Sequence, residues 1–237
     1  MDLNDKNLIG GLDRLVTSVA LAVIAVFPTM AAAIVSPWKL SPLLVANEPT
    51  GQKQFLLSPG AFFPLSLTVV FLMAASVSTS ATIESNGGAI GPGLTADVAA
   101  AVSEGDIWKT VSLIVPIYVL AIVTSVLSLV VRKWAGPWWT LRTALRAAFY
   151  SVSVTVCWII LTSAAIDSYR VYSGNGEMGS FLYNLNTVPI FGLSLWMYFW
   201  FFQLDGAASK KKSAVLASSV FASILAVASM VNWSLAL

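Results

Sequence analysis

The chain has 237 residues, 57% of them hydrophobic and only 10% charged, with a formal net charge of +2 and a mean hydropathy of +0.82. A soluble domain carries roughly 25% charged residues, so a soluble fold of this length would lack the polar groups to cover its surface, whereas a lipid-facing chain needs none. The net charge is too small to suggest a nucleic-acid partner, and the absence of His removes zinc-protease and Ser–His chemistry.

A bilayer core about 30 Å thick is crossed by about 20 mostly apolar helical residues. Six windows free of Asp, Glu, Lys and Arg reach that length. The first runs from Leu15 to Val35 and is stopped by Ser36-Pro37, since proline cannot continue a helix and restricts the residue before it. Its flank holds Asp2, Asp5 and Asp13 against Lys6 and Arg14, which is not the basic start of a signal peptide, and the apolar run is too long for one. A retained span is expected; a first segment that does not cross would leave five.

The second window, Ala61 to Ala81, is followed by Asn86-Gly87-Gly88 and Gly91-Pro92-Gly93. This Gly-rich stretch lacks the Lys-Ser/Thr of a phosphate loop and reads as a flexible connector. The third window, Thr110 to Val131, ends before Gly136-Pro137. The fourth, Ala147 to Ile166, holds the only cysteine, Cys157, a small lipid- or helix-facing residue. Ser173-Gly174-Asn175-Gly176 turns the chain into the fifth window, Phe181 to Leu204. That span carries a wall of bulk at Phe191, Trp196, Tyr198, Phe199, Trp200, Phe201 and Phe202, expected to face lipid or a partner. The sixth, Ser213 to Leu237, shows a small-residue row at Ser218, Ala222 and Ala226, a pattern that permits close helix packing in lipid. No repeat or linker divides the chain. The expected fold is all-α, a polytopic transmembrane helical bundle of six spans in one domain, residues 1–237.

Charge orients this layout. The connectors after spans one, three and five carry nine cations: Lys39 and Lys53; Arg132, Lys133, Arg142 and Arg146; Lys210, Lys211 and Lys212. The other side carries four, Lys6, Arg14, Lys109 and Arg170, and nine of the eleven acidic residues. The positive-inside rule places the nine-cation side in the cytoplasm and both termini opposite. Trp134, Trp138 and Trp139 are then expected at the inner interface, and Trp108 and Trp233 at the outer one. Arg132, Lys133, Arg142, Arg146 and Lys210 to Lys212 are candidates for contacts with anionic headgroups or a partner, each worth about 1 kcal/mol near a membrane surface.

No span contains an ionisable Asp, Glu, Lys or Arg, so no intramembrane acid pair or Ser–Lys dyad is available. We expect no enzyme, no catalytic residues, no metal and no cofactor. The expected role is a non-catalytic scaffold, accessory subunit or membrane-organising protein, in contact with membrane lipids and with other membrane proteins or itself. The alternative is a small permease or channel for a neutral or lipidic solute, with Pro28, Pro116 and Pro189 marking breaks in helices around a midplane cavity.

Three stretches resemble the Yip1 family of integral membrane proteins. Leu57-Ser58-Pro59-Gly60-Ala61-Phe62-Phe63-Pro64 is similar to the proline and Phe-Phe approach to a span in that family. Thr140-Leu141-Arg142-Thr143-Ala144-Leu145-Arg146-Ala147-Ala148-Phe149-Tyr150-Ser151 resembles its basic, tyrosine-containing helix start, and Leu195-Trp196 through Leu204-Asp205-Gly206 to Ser209-Lys210-Lys211-Lys212-Ser213-Ala214 resembles its last two helices. The resemblance covers about residues 57 to 235 and implies a five-span core, here with one further N-terminal span and without the long cytoplasmic N-terminal region of eukaryotic members. It points to a bacterial, inner-membrane member that shapes membrane or binds other membrane proteins.

Single cysteines at Ser209 and Asn175, in a Cys157→Ser background, are expected to label from opposite faces of the membrane, because each Arg, Lys or Asp held at mid-membrane costs about 2.5–3.5 kcal/mol. A cysteine at Asn4 should label from the Asn175 side if six segments cross, and from the Ser209 side if five do.

Overall fold

Helix starts are written locally. Ser58 is followed by Pro59, whose fixed φ suits a first helical position, and the Ser58 carbonyl accepts from the amides of Ala61 (3.1 Å) and Phe62 (2.8 Å). Thr140 Oγ1 accepts from the Thr143 amide at 3.3 Å, and Ser209 Oγ from the Lys212 amide at 3.2 Å, each satisfying an amide that has no partner within its own helix. Two chain reversals use positive φ, at Gly136 (109°) and Gly174 (67°), where any other residue is strained.

The computed structural model describes residues 3–45, 56–84, 107–174, 176–203 and 209–235. The helices are α1 (Leu3–Val35), α2 (Ser41–Val45), α3 (Pro59–Glu84), α4 (Ile107–Ser128), α5 (Arg132–Ala135), α6 (Leu141–Ser173), α7 (Gly176–Phe201) and α8 (Lys210–Leu235). Short 3-10 turns at Pro37–Lys39 and Leu129–Val131 precede α2 and α5. No strand is present among the described residues. The Gly87 to Gly93 connector, with Glu48, Lys53, Asp97, Glu104, Asp106 and Asp205, lies outside them, as do the side chains of Ala226 and Trp233.

Among the described residues each of the six apolar windows falls mainly on a helix, the third running on into the Leu129–Val131 turn and the fifth past the end of α7 at Phe201. Among the described residues three stretches are long and apolar enough to cross a membrane, Val16–Val35, Val115–Ala135 and Leu141–Ile166, as in an integral membrane protein. Pro59–Met73 and Phe191–Phe201 are shorter apolar helical stretches. The helices run unbroken through Pro28, Pro116 and Pro189, so these prolines do not mark the interruptions that a discontinuous-helix site requires.

Helix α6 is the hub, packed against α3, α4 and α7. Its inward faces are lined with Ala144, Ala147, Ala148, Ser151 and Ser153, all buried; such small side chains let neighbouring helices approach closely. Bulk comes from the partners, Phe62, Phe63 and Leu67 of α3 and Met197, Tyr198 and Phe201 of α7. The fifth-span aromatic wall is therefore divided: Phe191 and Trp196 are exposed, whereas Tyr198, Phe201 and Phe202 are core. Met197, Tyr198, Phe201 and Phe202 share one helical face, a spacing that matches the turn of 3.6 residues. Cys157 is also buried, among Phe63, Leu67 and Ile160. Among its described side chains, helix α1 buries the stripe Ala25, Val26, Thr29, Ala32 and Ala33, leaving Val16, Ile24 and Phe27 outward.

The connectors are bonded to the helices at one end of the molecule. The Leu57 amide donates to Thr29 Oγ1 at 2.9 Å, and the Tyr150 hydroxyl donates to the Leu57 carbonyl at 2.6 Å. The Trp139 indole donates to the Ser128 carbonyl at 3.0 Å, where α4 ends. Trp139 is thus fully buried, beside Phe202 at 4.5 Å between centroids; Trp134, by contrast, is exposed. Tyr150→Phe should lower stability by about 1 kcal/mol, a hydrogen bond's worth in a membrane protein, while Tyr169→Phe, at an exposed position, should change it little. Thermal unfolding in mild detergent measures the difference.

Candidate functional site

Two regions carry polar chemistry, the basic end and a cavity between helices. Arg132, Lys133, Arg142, Lys210, Lys211 and Lys212 are exposed. They sit where α5 begins, where α6 begins and where α8 begins. The elements around them touch: the Leu129–Val131 turn packs on α8, the Pro37–Lys39 turn packs on α7, and Trp38 lies 4.9 Å from Trp200 between ring centroids. The structure thus gathers the ends of α1, α4 and α7 and the starts of α6 and α8.

Arg146 is held by backbone carbonyls. Its guanidinium donates to the Leu44 carbonyl at 2.9 Å and to the Leu43 carbonyl at 3.5 Å. These carbonyls close the five-residue helix α2, and the last carbonyls of a helix have no acceptor role within it. A cation there also meets the negative end of the helix dipole. Arg146 is only part-exposed, between Arg142 and the buried Tyr150. It works as a brace that holds α2 beneath the ends of α6 and α7, with Leu40 and Leu44 tucked inward. The sequence could not show a carbonyl partner 102 residues away.

Of the Ser218, Ala222 and Ala226 row, the first two side chains are described. Ser218 and Ala222 are exposed; the buried stripe is Ser213, Leu216, Ala217 and Val220. Those residues interlock with the bulky inner face of α7, which a row of small side chains alone would not fill. Ser218 instead edges a groove with Trp196 and Phe199.

The cavity lies between α4, α6, α7 and α8, with a volume of about 210 Å³. Its walls are apolar, from Leu120, Val152, Val156, Ile159, Phe191 and Phe221 among others. Five hydroxyl groups join them, on Thr124, Ser151, Thr155, Ser194 and Tyr198. Thr155 and Ser194 bond to each other across α6 and α7 at 3.0 Å. Ser151 donates back to the Ala148 carbonyl at 3.3 Å. The Tyr198 hydroxyl is buried without a hydrogen-bond partner among the described residues. Ser151 stands closest to it in interaction, but the two do not reach ordinary hydrogen-bond geometry. The Tyr198 hydroxyl shares its lack of a partner among the described residues with Ser153 Oγ, Trp200 Nε1, Gln203 Nε2 and Ser213 Oγ. The lining holds no carboxylate, amine, guanidinium or thiol; it can bind and orient a neutral group by hydrogen bonding.

This site was hidden in the sequence. Serines and threonines inside apolar windows look the same whether they pack helices or line a cavity, and only the meeting of four helices separates the two cases. No protein-family model, no curated protein and no solved structure matches the chain.

Arg146→Gln should release α2. In a Cys157→Ser background, a cysteine at Leu44, buried in the intact protein, is expected to react with a water-soluble maleimide several-fold faster when Arg146 is also replaced. Arg142→Gln should leave that rate unchanged.

Proposed function

We propose that the protein is a non-catalytic, six-span integral membrane protein of the Yip1-like kind, which organises lipids or partner proteins around its helices. Its basic connectors lie in the cytoplasm and both termini on the opposite side of a bacterial inner membrane. The six-span count is supported by the six long helices on which the apolar windows mainly fall and by the charge asymmetry of the connectors. Two of the stretches that carry the Yip1 likeness meet, through Tyr150 and Leu57 and through Phe62 and Tyr150 at 5.6 Å.

The observation that carries the role is the arrangement at the basic end. Arg146 is turned inward to brace the chain itself, while Arg132, Lys133, Arg142 and Lys210 to Lys212 are exposed. They stand directly beyond helices whose outer faces are apolar, including Val16, Ile24, Val126 and Val215. Apolar sides with a cationic rim suit a protein embedded among anionic lipids, or against a partner with an acidic rim. Most of the polar chemistry is spent on structure, which fits an accessory subunit better than a catalyst.

A second reading, a small permease or channel for a neutral or lipidic solute, is favoured by the hydroxyl-bearing cavity between α4, α6, α7 and α8. The unbroken course of α4 and α7 through their prolines supports a binding site more than a through-path.

Purification in mild detergent is expected to retain anionic lipid together with a protein partner or a second copy. Replacing Lys210, Lys211 and Lys212 by Gln should reduce the retained anionic lipid at least two-fold, as a membrane-surface cation is worth about 1 kcal/mol. A lipid-indifferent monomer that catalyses solute flux in vesicles would reject the scaffold reading.

A further inference from the structure

We propose that the outer groove between α7 and α8 seats one anionic phospholipid, with an acyl chain in the groove and its phosphate over Lys210 and Lys211. The proposal rests on the lipid-organising reading above and names the lipid, its seat and the two lysines that select it.

Two helical rows build the groove. On α7, Gly192, Leu195, Trp196 and Phe199 line it at the i, i+3, i+4, i+7 spacing of one helix face. On α8 the facing row is Ala214, Ala217 and Ser218. Ala217 is buried at the bottom, whereas Ala214 and Ser218 are exposed. The rings of Trp196 and Phe199 lie 6.3 Å apart with 12° between their planes, and the Trp196 indole donates to the Ile34 carbonyl at 3.1 Å, so this wall is held in place. Gly192 keeps the trough open: a Cβ there would meet nothing within 4 Å. The space, about 310 Å³, is about twice the roughly 150 Å³ that takes benzene, room for about a dozen chain carbons by that measure.

Length and charge name the occupant. At about 1.5 Å per residue, Gly192 lies about 14 Å along α7 from its Phe201 end, and Ser218 about 12 Å along α8 from Lys210. The trough therefore runs the depth of one leaflet, about half of a 30 Å core, which is the reach of a lipid chain and not of a spanning helix. Lys211, Ala214 and Ser218 are spaced i, i+3, i+7, and Lys210, Ala214 and Ala217 are spaced i, i+4, i+7, so these two lysines head the groove's own row. Lys212 heads a different face, that of Val215 and Ser219. All three lysines are exposed. Neither residues 181–204 nor residues 209–237 include an Asp or Glu, and Asp205 of the connector is outnumbered three to one by the lysines. A second copy inserted in the same orientation would bring its own lysine run to this end, and like charges repel. An anionic headgroup is attracted to the same place, with the lysine stems lying along apolar surface and their ammonium groups at the phosphate.

The test is native mass spectrometry of the full chain in mild detergent, titrated with palmitoyl-oleoyl phosphatidylglycerol and, in parallel, with phosphatidylcholine of the same chains. One phosphatidylglycerol is expected to bind more tightly than any phosphatidylcholine. Lys210→Gln and Lys211→Gln should each weaken it about fivefold, the effect of one surface cation, and Lys212→Gln about twofold at most. Gly192→Leu fills the trough, keeps every lysine and should weaken binding about fivefold or more without lowering the melting temperature. Ser218→Leu fills it from α8 and should do the same, so the groove is tested even where one variant folds poorly. Glycerol 3-phosphate at the same concentration should not displace the lipid. Equal effects of the three lysines, or binding that survives both Gly192→Leu and Ser218→Leu, would overturn this seat while leaving the anionic-lipid reading standing. Displacement by glycerol 3-phosphate would overturn the part played by the groove. A dimer that Gly192→Leu dissociates without loss of lipid would give the groove to a second copy and overturn the proposal. Equal binding of phosphatidylglycerol and phosphatidylcholine would overturn the proposal together with the anionic-lipid reading it rests on.

Discussion

A backbone amide or carbonyl that leaves a helix in an apolar environment must find a partner, because no water is there to supply one. That constraint shapes the basic end of this molecule. Five side chains meet it: Thr29 accepts from the Leu57 amide, Tyr150 donates to the Leu57 carbonyl, Trp139 donates to Ser128, Arg146 donates to Leu44, and Trp196 donates to the Ile34 carbonyl at 3.1 Å. Each bond joins a helix end or connector to a different helix. The helices are slippery apolar rods, and lipid tails compete equally for their faces. Hydrogen bonds at the ends therefore fix which helix sits beside which.

Packing follows from that framework. With its ends pinned, α6 can present small residues to neighbours that supply bulk, and the two sets fit: alanines and serines on α6 against phenylalanines on α3 and α7. Where the fit is incomplete, on the side shared with α4 and α8, the cavity remains. Its position is consistent with the looser packing of α8, which touches α7 more than it touches α4.

Much of this architecture was legible beforehand. Runs of uncharged residues placed all six long helices, and Ser36-Pro37 marked the end of α1 at Val35. The split of the aromatic wall was also open to reading, since Met197, Tyr198, Phe201 and Phe202 recur at helical spacing. The roles of Arg146, Trp139 and Tyr150 were not. Each depends on a backbone carbonyl elsewhere in the chain, and a carbonyl leaves no mark in a sequence. The small-residue row on α8 is limited for a related reason: spacing identifies a face without saying whether this chain or a partner covers it. The cavity was the least visible, because it is defined by where four helices fail to touch.

The Leu57 linkage also bears on biogenesis. Leu57 is reached soon after Thr29, so its amide has an acceptor as soon as α1 and the following connector have emerged from the ribosome. Its carbonyl waits for Tyr150, 93 residues later, just as the Leu44 carbonyl waits 102 residues for Arg146 and the Ile34 carbonyl 162 for Trp196. Chains are made from the N-terminus at about 5–20 residues per second, so the first hairpin spends several seconds or more with its turn unsealed. During that interval it depends on water at the membrane surface or on the insertion machinery. The arrival of α6 closes the turn from inside and converts a provisional hairpin into a committed one.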